Sequence, residues 1–307
     1  MVPHGPKTQW FIWTIVAPLW RGALPFINFV KSCSPFTDLS TFKVTLGRFI
    51  FVKYSPHAET EAATMRFVRD RTTIPVPRVW GVLTFQGLPY LFMSRLPGRD
   101  LRFPEALGSL SDAGKDRVLD QLKGFVEQLR ALEPPTKPPF ICSVLGGPVL
   151  DHRLSTTGPY GPYRDEAQFN SQRRQGLTVE QYAVYSKFSP EVLDAVRRAH
   201  AIRHPIVFTH NDLHRGNILI EGDRVTGIVD WECAGWFPAH WEYVKALFLI
   251  YDPKDPWLKD VPTFIPAFEF EANVDMNHVG WTRDWIGVVL EPGFDENIGF
   301  PVAESLI

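Results

Sequence analysis

The run Phe208-Thr209-His210-Asn211-Asp212-Leu213-His214-Arg215-Gly216-Asn217-Ile218-Leu219-Ile220 constrains this chain more than any other stretch. It leaves one apolar segment (Pro205-Ile206-Val207-Phe208) and enters another, so its polar residues fall on a loop between two strands. Gly227-Ile228-Val229 makes a further apolar strand ending at Asp230, followed by Trp231-Glu232. Between the last two strands, Glu221-Gly222-Asp223-Arg224 supplies the residues of a hairpin turn. Closing that hairpin carries Asn217, at the start of its first strand, to Asp230, at the end of its second. Asp212 lies on the loop just before them. One base and two hard oxygen ligands then share a small region, which is the equipment of Mg²⁺-dependent phosphoryl transfer.

Each of these residues also has a plainer reading. A lone Asp after a strand is usually a turn or cap residue, but Asp212 stands five positions before Asn217, the Asp-x-x-x-x-Asn spacing of a kinase catalytic loop. A carboxylate held there can orient an attacking hydroxyl and take its proton, so Asp212 is the expected general base. His210 is placed with it in the catalytic loop, where organising the loop by hydrogen bonds is favoured over proton chemistry because a base is already present. Asn217 and Asp230, each unremarkable alone, are together the expected Mg²⁺ ligands.

A second constellation precedes them. Lys53 interrupts the apolar strand Phe49-Ile50-Phe51-Val52-Lys53-Tyr54, where an unpaired ammonium would be costly. Glu61 lies on the helix that follows, from about residue 58 to 70, on the same face as Met65 and Val68. Glu61 is therefore expected to meet Lys53, in preference to Glu59, which faces away from Met65 and Val68. A lysine so held can address nucleotide phosphates. Residues 36–52 hold a single glycine, Gly47, so any loop over the phosphates, made by residues 36–45, lacks a Gly-x-Gly-x-x-Gly. A Walker-type Gly-x-x-x-x-Gly-Lys-Ser/Thr is absent as well, which excludes a P-loop NTPase.

Around these motifs the chain divides into three parts. Residues 1–35 form an apolar extension, in which Arg21 is the one formal charge between Trp10 and Val30. Pro18, Arg21, Gly22 and Pro25 break it below the length of a spanning helix, so packing on the domain is favoured over membrane contact through residues 10–30. Residues 36–97 read as strand, strand, helix, strand, strand and a Pro-Gly exit. Residues 98–307 read as mainly helical, with Ser111 and Ser189 as helix caps and an irregular excursion over 136–176. The 307 residues carry a net charge of −2, which argues against a broad nucleic-acid footprint. Three widely spaced cysteines (Cys33, Cys142, Cys233) suit a reducing, cytoplasmic setting.

Taken together these residues resemble the aminoglycoside phosphotransferase / choline kinase-like family, in particular its fungal-type branch. The resemblance rests on the stretch 210–219 with Ile228-Val229-Asp230-Trp231-Glu232, and on Val52-Lys53-Tyr54, Glu61-Ala62, Ile74-Pro75-Val76-Pro77, Leu96-Pro97-Gly98 and Gly235-Trp236-Phe237-Pro238. It implies an α+β, two-lobed protein-kinase-like fold with a small β-rich N-lobe and a larger helical C-lobe, ATP lying between them. It implies that Lys53 serves the phosphates, that Glu61 serves Lys53, and that the backbone of Met93, Ser94, Arg95 and Leu96 meets the nucleobase. Arg215 stands where the family often has proline, and Glu242 near where the bacterial resistance enzymes have aspartate. The activity implied is transfer of the γ-phosphate of ATP to a hydroxyl of a small molecule. A fold kept for nucleotide binding without turnover is the alternative. The acidic region after Tyr251 would suit an amine-bearing acceptor, though a solvated acidic surface is the plainer reading.

Overall fold

The computed structural model describes residues 43–46, 49–85, 87–102, 108–134, 140–153, 159–248, 250 and 252–279. The apolar extension, its stretch 10–30, and most of the segment expected over the phosphates lie outside the described residues, as does the Gly47-Arg48 turn.

The N-terminal part is a four-stranded antiparallel sheet in the order β1-β2-β4-β3, formed by β1 (Lys43–Leu46), β2 (Ile50–Tyr54), β3 (Val79–Phe85) and β4 (Leu88–Ser94). Gly87 turns β3 into β4 with a φ of 78°, a conformation cheap for glycine alone. Between β2 and β3 runs α1 (Ala58–Arg71), which buries Ala58, Glu61, Ala62, Met65 and Val68 while Glu59 stays exposed. Acidic residues in its first turn and basic ones in its last oppose the helix dipole. The chain leaves the sheet through Pro97-Gly98 and at once adds β5 (Arg99–Asp100) to the hairpin of β8 (Ile218–Glu221) and β9 (Arg224–Ile228). In that hairpin Ile218 pairs with Ile228 and Gly222 takes the positive φ at the turn.

The C-terminal part is built on α2 (Asp112–Arg130). The Ser111 hydroxyl caps it by accepting from the Gly114 amide at 3.2 Å, and Val118, Leu122, Val126 and Leu129 form its buried stripe. A second small sheet, β6-β10-β7, joins β6 (Cys142–Ser143), β7 (Ile206–Thr209) and β10 (Gly235–Pro238). The remaining helices are α3 (Glu166–Arg173), α4 (Val179–Ser186), α5 (Pro190–Ala201), α6 (Trp241–Phe248), α7 (Trp257–Phe264) and α8 (Glu269–His278). The stretch 136–176, read from sequence as irregular, thus contains a strand and a helix; Asp165 caps that helix by accepting from the Gln168 amide at 2.8 Å. No helix among the described residues is long and apolar enough to cross a membrane.

One continuous core runs through both parts. Phe67 of α1 packs on Phe208 of β7 (ring centroids 5.4 Å apart) and on Trp236 of β10 (5.6 Å), which themselves meet at 4.9 Å. Beside them the Ile228 amide donates to the Pro75 carbonyl at 2.9 Å. The crossing between the two parts leaves no room at Gly98: its φ is 100°, and a Cβ there would lie 2.5 Å from Thr226 Oγ1 and 2.6 Å from the Ile220 carbonyl oxygen. Gly98→Ala is therefore expected to destabilise the protein by about 2 kcal/mol. Gly124→Ala is the matched control, inside α2 with nothing within 4 Å of the added carbon; it is expected to stabilise by roughly 0.5–1 kcal/mol. Urea unfolding midpoints of the two variants, shifting in opposite directions, check this.

Candidate active site

Strand β7 ends at Thr209, and the next two backbone amides have no ladder partner. They are taken up by one side chain: the fully buried Glu242 on α6 accepts from the His210 amide at 2.6 Å and from the Asn211 amide at 3.0 Å. Burial pushes the Glu242 carboxyl up to about 7, against the pull of those two amides and of Arg130. Asn211 takes a left-handed φ of 62° and its amide group donates to Asp151 at 3.2 Å and to the Cys233 carbonyl at 3.2 Å. Asp151 in turn accepts from Lys245 Nζ at 2.9 Å and Trp241 Nε1 at 2.6 Å, both on α6. A buried charge pair of this kind survives because every lone pair has a donor.

His210 is wholly buried against Trp231, with ring centroids 4.5 Å apart, and its Nε2 lies 2.9 Å from the Val229 carbonyl. A carbonyl only accepts, so Nε2 carries the proton. Burial lowers the His210 pKa to about 4, so the ring is neutral at physiological pH. The structure thus ties His210 to the strand that leads to Asp230. Asp212, next but one, accepts from Asn217 Nδ2 at 3.0 Å, and the same Nδ2 also donates to the Asp212 carbonyl at 2.9 Å. Burial alone would raise the Asp212 pKa; the hydrogen bond and charge of His214, with the charge of Lys245, outweigh it and leave the carboxyl below its ordinary value. With Nδ2 of Asn217 committed to Asp212, its amide oxygen is the atom left to face a cation. The Asn217 carbonyl accepts from the Val229 amide at 3.0 Å, which sets Asn217 beside the end of β9. Arg215 pairs with Asp255, tying the catalytic loop to the start of α7.

Asp230 follows with a φ of 67°, a backbone state that a non-glycine residue holds only when its surroundings enforce it. Lys53 reaches it from β2. The buried ammonium pairs with Asp230, lies 3.2 Å from Glu61 and 3.0 Å from Glu232, and so gathers three carboxylates. Burial works against the Lys53 charge, but Glu61, Asp230 and Glu232 together raise its pKa and keep it protonated. Ser55 Oγ donates to Glu232 at 3.1 Å. Oxygen atoms of Glu61, Asp230 and Glu232 all lie within 4.8 Å of one another. Lys43 also approaches Asp230, at 3.7 Å, and His152 approaches Glu232, at 3.8 Å, and the three carboxylates still outnumber the two ammonium groups. Hard oxygen donors in such excess fit Mg²⁺ by chemistry and by charge.

The structure therefore brings together Lys53, Glu61, Asp212, Asn217 and Asp230, with His210 beneath them. It treats the segment 93–95 differently. Met93 is buried at the end of β4; the Ser94 amide donates to the Arg78 carbonyl at 2.9 Å and the Arg95 amide to the Phe49 carbonyl at 2.8 Å. Those two amides already have backbone acceptors and are not free to meet a ligand. Two residues that the sequence did not single out for these tasks also belong here. Glu232 was visible in Asp230-Trp231-Glu232 as a second carboxylate two positions on. Glu242, on the mainly apolar helix it shares with Lys245, was visible as a position of the family resemblance but not as the acceptor of two loop amides.

Residues 36–269 match the phosphotransferase enzyme family. Among solved structures, the GDP complex of wild-type aminoglycoside 2′-phosphotransferase-IIIa is similar at 13% identity, covering 83% of this chain and 88% of that one, with a TM-score of 0.52. The GDP and kanamycin complex of APH(2″)-IIIa is similar at 14% identity, covering 80% and 82%, with a TM-score of 0.53. At these identities the likeness is one of fold, two-lobed and protein-kinase-like. No curated protein sequence matches the chain significantly.

Removing the acceptor on α6 tests how the loop is held. Glu242→Ala leaves two buried amides unpaired and is expected to destabilise by roughly 2 kcal/mol or more. Glu242→Gln, with one acceptor oxygen instead of two, is expected to fall between it and the wild type in urea unfolding.

Proposed function

The chain belongs to the phosphotransferase enzyme family, and we propose that it is an ATP- and Mg²⁺-dependent small-molecule kinase acting on a hydroxyl acceptor. The observation that carries this is the meeting, at one cleft, of the Lys53–Glu61–Asp230–Glu232 cluster with the Asp212–Asn217 pair. Lys53 binds the donor phosphates, and Glu61 holds it extended from β2. Asp230, Glu232 and the amide oxygen of Asn217 are the ligands for Mg²⁺, which when bound neutralises phosphate charge and draws the phosphates to these oxygens. Asp212 orients the acceptor hydroxyl and takes its proton; its lowered pKa keeps it ionised for that task. His210 holds the loop through Val229 and moves no proton. The nucleobase is met by carbonyls around Met93, Ser94 and Arg95.

The acceptor is read as a small molecule because a protein of similar fold, APH(2″)-IIIa, forms a complex with kanamycin. The acidic composition beyond residue 251 does not by itself argue for an amine-bearing one. Asp255 pairs with Arg215, Asp260 with Lys115 at 2.7 Å, Glu269 with the Tyr243 hydroxyl at 2.6 Å, and Asp275 with Arg153 and Arg173. These carboxylates answer internal charges and donors. A cytoplasmic setting agrees with Cys142 and Cys233, which are both buried and free.

A turnover screen with ATP, Mg²⁺ and pooled hydroxylated metabolites tests the activity. Phosphate transfer to no acceptor in any pool, with tight Mg-ATP binding retained, would favour nucleotide binding without turnover. With an acceptor in hand, Asp212→Asn is expected to lower the rate roughly 10²–10⁴-fold with nucleotide affinity nearly unchanged. The wild-type rate is expected to fall on acidification, first as Glu242, at about 7, takes up a proton beneath the loop and then as the base itself is protonated on approach to the lowered Asp212 pKa; a rate that climbed on acidification would rule the assignment out. Lys53→Ala removes a charge-assisted contact of about 1.5–3 kcal/mol, so calorimetry is expected to show Mg-ATP affinity weakened by roughly tenfold or more. Unchanged affinity would end the phosphate role.

A further inference from the structure

Away from the cleft, the far end of β7 holds a cluster that the phosphotransfer reading does not use. Glu166 opens α3, His204 lies two residues before β7, His240 immediately precedes α6, and Glu271 is in the first turn of α8. Their side chains are largely buried. His204 Nδ1 is 2.8 Å from Glu166 Oε1 and 3.1 Å from His240 Nδ1, and His240 Nδ1 is 3.5 Å from the same Glu166 oxygen.

We propose that Glu166, His204 and His240 form a binding site for a divalent transition-metal ion of the Zn²⁺ class. Ligand atoms around four-coordinate Zn²⁺, with bonds of about 2.0–2.1 Å, stand roughly 3.3 Å apart. The three edges observed bracket that spacing, so one ion can lie about 2 Å from every corner. The supporting contacts are those of a ligating set. The other oxygen of Glu166 accepts the His204 backbone amide at 2.8 Å, which aims Oε1 at the two imidazoles. The far nitrogen of His204 is 3.1 Å from Glu271 Oε1, the carboxylate–histidine arrangement that fixes a ligand's tautomer and raises its basicity. A proton on each nitrogen of His204 answers Glu166 and Glu271, and the Nδ1 proton also faces His240 Nδ1. Zn²⁺ competes with that Nδ1 proton for the same three atoms, so its binding releases a proton. Two imidazoles among the donors select Zn²⁺ or Co²⁺ over Mg²⁺, which takes oxygen. The positive charge nearest on α3, Arg173, is paired with Asp275. An ion here ties α3 and the entrance of β7 to the start of α6, two residues before the glutamate that holds the catalytic loop.

The test uses the untagged full chain carrying Asp230→Asn, which disables the competing carboxylate site in the cleft. After chelation and dialysis, Zn²⁺ or Co²⁺ is titrated in, with binding read by calorimetry and by cobalt d–d absorption. One equivalent of ion, the strong visible absorption of four-coordinate cobalt, and a rise in melting temperature with Zn²⁺ but not Mg²⁺ are expected. His240→Phe, with folding checked by circular dichroism, is expected to abolish all three, and Glu271→Gln to weaken Zn²⁺ affinity about 10–100-fold. Should His240→Phe fail to fold, X-ray absorption on the zinc-loaded chain decides: two imidazole ligands are required. Absence of binding, binding that survives a folded His240→Phe, or a zinc spectrum without imidazole scattering overturns the site. Because the readouts are metal content and melting, none depends on phosphotransfer activity.

Discussion

The conformation of the catalytic loop depends on one carboxylate. Where β7 stops, two amides would be buried without acceptors, and Glu242 takes both. Its neighbours on α6, Trp241 and Lys245, hold Asp151, and Asp151 holds the side chain of Asn211. One short helix therefore grips the loop by backbone and by side chain before any group is positioned for chemistry. The cost is visible in the raised pKa of Glu242, where burial penalises the ionised form against the pull of the two amides it accepts from. From that anchor the rest follows: His210 bonds to Val229, Asn217 sits against Asp212, and the end of β9 presents Asp230 to Lys53.

Much of this was legible in the residues because the signals are local. Apolar runs broken by Gly222-Asp223 give the hairpin, and the hairpin alone delivers Asn217 to Asp230. The partnership of Lys53 with Glu61 follows from an ammonium in an apolar strand and a carboxylate on the inner face of the next helix, eight positions on. What escaped was built from distant parts of the chain. Glu242 meets His210 across 32 positions and Asn211 meets Asp151 across 60, distances over which neither spacing nor composition carries information. Helix α3 was hidden by the proline and glycine around it, although Asp165 marked its start. The backbone of Met93 to Leu96 was expected to meet a nucleobase, but strand pairing decides which of its groups are free, and pairing is a property of the folded neighbours.

The Lys53 cluster shows how a site can be poised by imbalance. Three carboxylates gather on the Lys53 ammonium, with Lys43 and His152 at the outer edge of the set, and negative groups still outnumber the two lysines. The same excess explains why Asp230 tolerates a left-handed backbone: strain at that residue is held by contacts on both sides, from Lys53 and from the β8–β9 hairpin.

The aromatic contact of Phe67 with Phe208 and Trp236 has a bearing on control. In kinases that are switched on and off, the helix carrying the lysine's glutamate moves away and returns, and the signal acts on that movement. Here the corresponding helix, α1, is held on strands β7 and β10 by the tilted and edge-on contacts of Phe67 with Phe208 and Trp236, with the Ile228–Pro75 bond next to them. Swinging it out would open the central core, at a penalty of several kcal/mol. The position of α1, and with it the Lys53–Glu61 contact, is consequently fixed by the packing of the core itself.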